Sequence, residues 1–122
     1  QALLASGFGY DARGREWQAR QLVGVVPRVR DMRRGGSAAI DLCLLAAGQI
    51  DAYFECGIKT WDFAAGGVIA RAAGARVMML QPQKGPAPLV VAANPRLFEQ
   101  LLPLVLEAGG LDPDTPRQQP WG

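Results

Sequence analysis

Short apolar runs alternate with helix-patterned stretches along this chain, and that alternation limits its fold more than any other feature of the sequence. Residues 2–5, 29–33, 50–55, 76–80 and 89–93 read as strands, each flanked by Gly, Pro or polar residues. Between and after them lie helical patterns of about 10 to 15 residues, the spacing of an α/β chain rather than of hairpins. The predicted architecture is therefore a layered sheet with flanking helices, and no internal repeat is evident.

The helices carry their own punctuation. Over residues 13–26, Trp17, Leu22, Val25 and Val26 fit one face loosely, and Pro27 ends the segment. Residues 37–47 begin at Ser37, a natural N-cap, carry Asp41 early, and stop at Gly48; Ala39, Ile40, Cys43, Leu44 and Ala47 are the expected apolar face. The next helix is predicted over 61–73, with Trp61 anchoring its start in the core and Gly74 as C-cap. Asn94 and Pro95 open a last helix reaching Ala108. A turn is expected over residues 81–86, and the Pro-rich residues 111–122 are expected to form a mobile tail.

Composition narrows the function. The chain has 122 residues, 49% hydrophobic and 20% charged, which suits a globular domain with a real core and not a disordered segment. A net charge of +2 offers no argument for nucleic acid or a membrane surface. Apolar runs such as residues 42–47 fall far short of the roughly 20 residues of a membrane span. Cys43 and Cys56 lack metal-ligand spacing and sit among apolar neighbours, so both read as reduced core thiols, consistent with a cytoplasmic origin. With no histidine, Ser-His and Cys-His nucleophile pairs and His-ligated zinc are excluded from within this chain. The start, Gln1-Ala2-Leu3-Leu4, has no Met and enters a strand pattern at once, so a preceding part of the protein is expected elsewhere.

Three places carry possible chemistry. Asp62 falls in the first turn of a predicted helix, where a carboxylate either caps the helix or, held by a rigid Ala64-Ala65-Gly66 backbone, serves as a metal ligand. Glu55 ends a predicted strand, where clefts of open α/β sheets form; it is either a solvated strand-end residue or an acceptor for polyol hydroxyls. Gly35-Gly36-Ser37-Ala38 precedes a helix and exposes backbone N–H groups at its positive end. Arg33 and Arg34, just before it, are better read as a solvated basic pair than as a phosphate clamp. Asp51 reads as a turn residue, and Asp41 and Arg30 as surface or pairing charges; Trp17 and Trp121 give no chemical lead.

Taken together and in order, these elements resemble the inositol monophosphatase family. The likeness runs through Arg33-Arg34-Gly35-Gly36-Ser37-Ala38-Ala39-Ile40-Asp41-Leu42-Cys43 and Ala46-Ala47-Gly48. It is most specific in Asp51-Ala52-Tyr53-Phe54-Glu55, with Trp61-Asp62-Phe63-Ala64-Ala65-Gly66 following, and continues loosely into Val91-Ala92-Ala93-Asn94. The resemblance implies that residues 1–110 are the C-terminal domain of the inositol monophosphatase, or sugar phosphatase, fold. It implies a Mg²⁺-dependent phosphomonoesterase acting on inositol monophosphate, with Asp62 as a Mg²⁺ ligand. Glu55 would bind substrate hydroxyls, and Gly36, Ser37 and Ala38 would line the substrate pocket. A cytoplasmic homodimer is the implied assembly.

Two departures qualify the likeness. The family's usual Glu-Ala-Gly-Gly after the Trp-Asp helix is Ala72-Ala73-Gly74-Ala75 here. The first metal motif, Asp-Pro-(Ile/Leu)-Asp-Gly-Thr, and an upstream Glu are not in these residues. One carboxylate cannot place two metal ions, so no residue of this chain is assigned as catalytic, and the isolated chain is expected to be inactive without an N-terminal half. Alternatives are a related phosphatase for histidinol phosphate, fructose 1,6-bisphosphate or a nucleotide phosphate, or a non-catalytic binding domain that keeps the fold.

Overall fold

A computed structural model describes residues 2–7, 12–81 and 88–118. In chain order the elements are β1 (Leu3–Ser6), α1 (Ala12–Val25), a short 3-10 turn (Val26–Arg28), β2 (Asp31–Arg33), α2 (Ala38–Ala46), β3 (Ala52–Cys56) and α3 (Thr60–Ala72). They continue as β4 (Arg76–Leu80), β5 (Leu89–Ala93), α4 (Pro95–Ala108) and β6 (Arg117–Gln118). The expected α/β order holds.

The sheet runs β2-β1-β3-β5-β4-β6. β2, β1 and β3 are parallel, with Ala5 opposite Arg33 on one side and Tyr53 on the other. β5 joins β3 antiparallel, pairing Val90 with Glu55, and β4 and β6 follow antiparallel. Helices cover both faces. Phe98, Leu101, Leu102 and Val105 of α4, with Val25 of α1, pack on Leu4, Ala52, Phe54, Cys56, Val91 and Ala93. On the other face Leu42 and Leu45 of α2, with Phe63 and Ala70 of α3, pack on Leu3, Ala5, Tyr53, Val77, Val90 and Ala92. All five residues of β5 are buried, as the continuous apolar run Leu89-Val90-Val91-Ala92-Ala93 requires of a strand covered on both sides.

Several expectations are corrected. Cys43 is exposed, whereas Cys56 is buried as expected, with burial pushing its thiol well above the ordinary range. α2 is apolar nearly all round, so its sequence barely sets its rotation; contact with α3 does. Gly66 lies against the Leu42 side chain and the Ala39 carbonyl, and the turn that puts Leu42 and Leu45 inward also buries Asp41 and leaves Ile40 outside. Trp61 is 78% exposed, and the core anchor of α3 is Phe63, two residues and about 200° further round the helix. The tail is tied down at least to Gln118: Leu111 and Thr115 are buried and β6 pairs with β4, giving six strands among the described residues where five were expected. Residues 82–86 of the expected turn, and Trp121, lie outside the described residues.

Candidate active site

The N-termini of α2 and α3 converge beyond the carboxyl ends of the parallel strands β1 and β3, leaving a cleft of about 440 Å³. Open α/β sheets bind ligands at this end of their strands. Gly36, Ser37 and Ala38 line it from α2, Glu55 from β3 and Asp62 from α3, so every site residue expected from the sequence reaches one cavity. Arg34, Lys59 and Gly7 line it too. A larger cavity of about 520 Å³ lies at the opposite end of the sheet, between the start of β1 and the N-terminus of α4. Arg28 and Arg96 flank it, but it holds none of the expected site residues.

Ser37, Asp62 and Glu55 are each held by a local hydrogen bond. Ser37 is the N-cap of α2, its hydroxyl accepting from the Ile40 N–H at 3.3 Å, and Gly36 before it turns the chain at a φ of +83°. At α3, the Asp62 N–H donates to the Lys59 carbonyl at 2.9 Å, while Asp62 Oδ2 accepts from the Lys59 N–H at 3.2 Å. This reciprocal pair is a capping arrangement, so the capping and ligand readings of Asp62 are compatible. The bond uses one face of the carboxylate and fixes it, exposed, at the mouth of the cleft.

Glu55 is half-buried, and Tyr53 Oη donates to its Oε1 at 2.7 Å. Burial pushes the Glu55 carboxyl above the ordinary range; the Tyr53 bond and the Arg34 charge oppose this, while Asp41 and Asp62 reinforce it. Tyr53 is fully buried, and burial first, then the Glu55 charge, pushes its hydroxyl far from ionisation. Asp41, expected at the surface, is 1% exposed, and its Oδ1 has no hydrogen-bond partner among the described residues. Burial raises its carboxyl, and the Arg34 charge opposes that rise. The basic pair splits: Arg33 bonds to Asp31 Oδ2 at 2.8 Å, and Arg34 turns to the cleft. Asp51 Oδ2 accepts from the Leu3 N–H at 2.7 Å, so this residue ties β1 to the approach of β3.

Tyr53, Lys59 and Gly7 were not singled out as site residues in the sequence. Tyr53 carried a usable signal, since residues two apart on a strand project from the same face. Lys59 acts through its backbone, which residue type does not announce.

For a cation, the donor chemistry fits in part. Asp62 is a hard oxygen donor of the kind Mg²⁺ accepts, one or two carboxylates being completed by water and phosphate oxygens. Among the described residues no group of three or more acidic, Cys or His side chains is arranged to hold a metal. A complete site needs donors beyond those described.

The model of the inositol monophosphatase family matches residues 1–109. This chain belongs to the inositol monophosphatase family. It is 55% identical over 113 residues to an inositol-1-monophosphatase of Mycobacterium bovis, covering 92% of this chain and 39% of that protein. It is 38% identical over 109 residues to a protein of Escherichia coli named Nus factor SuhB, covering 82% of this chain and 39% of that one. Among solved structures, Mycobacterium tuberculosis SuhB superposes with a TM-score of 0.80 at 52% identity, over 92% of this chain and 44% of that one. The inositol monophosphatase from Anabaena superposes at 0.77 with 28% identity, over 88% and 45%. The inositol monophosphatase fold expected from the Trp61-Asp62 motif is thus found, and the chain spans about two fifths of the curated relatives it matches.

Proposed function

We propose that this chain is the C-terminal part of a Mg²⁺-dependent phosphomonoesterase that hydrolyses inositol monophosphate, with residues 1–110 as its C-terminal domain. One observation carries the reading: Glu55, Asp62 and the Gly36-Ser37-Ala38 turn, separate in sequence, face one cleft at the carboxyl ends of parallel strands. Asp62 holds Mg²⁺ through its carboxylate, kept in place by the Lys59 N–H. Glu55 accepts a hydrogen bond from a ring hydroxyl of the substrate, and the backbone at Gly36, Ser37 and Ala38 lines the pocket against the ring. Arg34, beside them, adds positive charge for the phosphate. Bound Mg²⁺ supplies Lewis-acid chemistry at the attacking water and the leaving oxygen. The remaining metal donors come from an N-terminal half of the same enzyme, which functions as a cytoplasmic homodimer; the chain alone has no significant turnover.

The test uses the complete parent protein with inositol 1-phosphate. Chelation of Mg²⁺ is expected to abolish turnover, and Asp62→Asn to lower kcat/KM by about a hundredfold or more while the fold persists. Full activity of Asp62→Asn, or of the isolated 122-residue chain, would overturn the assignment. Histidinol phosphate, fructose 1,6-bisphosphate and a nucleoside monophosphate assayed in parallel separate the related substrate classes. Relatives named Nus factor favour a second reading, a domain that binds a macromolecular partner. That reading predicts partner binding insensitive to Asp62→Asn.

A further inference from the structure

We infer that Tyr53 and Gly7 form a cradle that positions the Glu55 carboxylate, leaving one of its oxygens to accept from a polyol hydroxyl. The inference rests on the reading of Glu55 as the polyol contact and adds the residues that make it a directed one. Tyr53 and Glu55 are two apart on β3, so both project from the face covered by α2 and α3. Tyr53 is fully buried, and its hydroxyl reaches Glu55 Oε1 at 2.7 Å. Because burial and the neighbouring Glu55 charge keep that hydroxyl protonated, it is a permanent donor.

The second wall comes from the adjacent strand. Ser6 pairs with Phe54 in the parallel β1–β3 register, which brings the next residue, Gly7, beside Glu55. A Cβ at Gly7 would sit 2.8 Å from Glu55 Cδ and 3.1 Å from Oε2, and closer still to Oε1. The carboxylate therefore rests where a side chain at position 7 would stand. Gly7 is not among the glycines with positive φ, so its backbone admits alanine and the absent side chain is the constraint. With Oε1 taken by Tyr53, Oε2 is the oxygen left for a ligand. An unanchored Glu would have to give up rotamer freedom on every binding event; this one has surrendered it in folding.

The experiment measures KM and kcat of the complete parent protein on two substrates, inositol 1-phosphate and p-nitrophenyl phosphate, which has no polyol. Tyr53→Phe is expected to raise KM for inositol 1-phosphate about tenfold, as losing a bond to a charged acceptor would, and to leave both constants for p-nitrophenyl phosphate within about twofold. Gly7→Ala, which displaces the carboxylate without touching Tyr53, is expected to do the same. In a Glu55→Ala background both substitutions should add less than about twofold, because the group they position is gone. If Glu55→Ala raises KM while Tyr53→Phe and Gly7→Ala do not, the cradle is overturned and the polyol contact stands. Effects of equal size with and without Glu55 would also overturn it, since they would act through the fold. If Glu55→Ala leaves KM for inositol 1-phosphate unchanged, the polyol contact fails and the cradle with it.

Discussion

The two faces of β3 meet similar packing and opposite chemistry. On one, Ala52, Phe54 and Cys56 lie within an apolar layer beneath α1 and α4, extended by Phe98, Leu101, Leu102 and Val105. On the other, Tyr53 is equally buried but ends in a hydroxyl, and the next residue on that face is the half-buried carboxylate of Glu55. Among the described residues, the buried polar groups of the closed face are neutral and paired: the Gln18 and Gln21 side-chain amides donate to the Cys56 and Val105 carbonyls at 2.9 and 3.0 Å. The cleft face must also satisfy charge and leaves part of that task undone: Glu55 is pushed up by burial, and Asp41 Oδ1 has no partner among the described residues. The closed face is therefore expected to hold more of the stability, and the cleft face carries buried charge that a ligand could satisfy.

The largest effect that can break this contrast lies on the closed face. Phe98 is 1% exposed within the α4 layer, with the Arg76 guanidinium 4.4 Å from its ring centroid. Phe98→Ala should cost about 3–5 kcal/mol, read as a lower urea midpoint at unchanged m-value. A loss under 1 kcal/mol would show that the layer is not the main store of stability.

A smaller effect of opposite sign is expected on the cleft face. Asp41 has its carboxyl raised by burial, so its protonated form is the one the fold prefers. The sign follows: its contribution is full below the ordinary carboxylate pKa and is lost as pH rises through the elevated value in the folded state. Asp41→Asn should flatten that decline and stabilise the chain by about 1–2 kcal/mol at pH 8, with little change at pH 5. Arg34 opposes the Asp41 shift, and the raised carboxyl of Glu55 leaves a residual slope of the same sign. Urea denaturation at the two pH values decides it; destabilisation greatest at pH 8 would mean an ionised, well-paired Asp41.

The smallest effect compares the helix caps. Asn94 Oδ1 accepts from the Leu97 N–H at 2.8 Å at the start of α4, and Ser37 Oγ from the Ile40 N–H at 3.3 Å at the start of α2. Each change to Ala should cost about 1 kcal/mol. The longer bond predicts the lesser cost for Ser37→Ala, and a larger one would mean that the cleft turn depends on its cap more than its geometry indicates.

Much of the fold was legible because it is written locally. Ser37 and Asn94 cap the helices they were expected to cap, and the continuous apolar run at β5 is the doubly covered strand its composition demands. The candidate site residues could be named as well, since the Trp61-Asp62 segment and Gly35-Gly36-Ser37-Ala38 are specific strings. What went astray was orientation. Trp61 and Cys43 were placed inward and face outward, while Asp41 was placed outward and is buried. In each case the helix is too uniformly apolar for periodicity to choose a face.

The sequence by itself determined the alternation of strands and helices, the caps that start α2 and α4, the family, and five of the residues that line the cleft, Gly36, Ser37, Ala38, Glu55 and Asp62, because each depends on neighbours along the chain or on a motif carried whole. Only the tertiary structure decided how α2 is rolled, that β6 adds a strand to the sheet's edge, and that Tyr53 and Gly7 close on Glu55 from two strands. Those outcomes depend on contacts between segments distant in the chain, Leu42 against Gly66, Met79 beside Gln118 and Ser6 beside Phe54, and no local preference encodes a contact whose partner is chosen by packing.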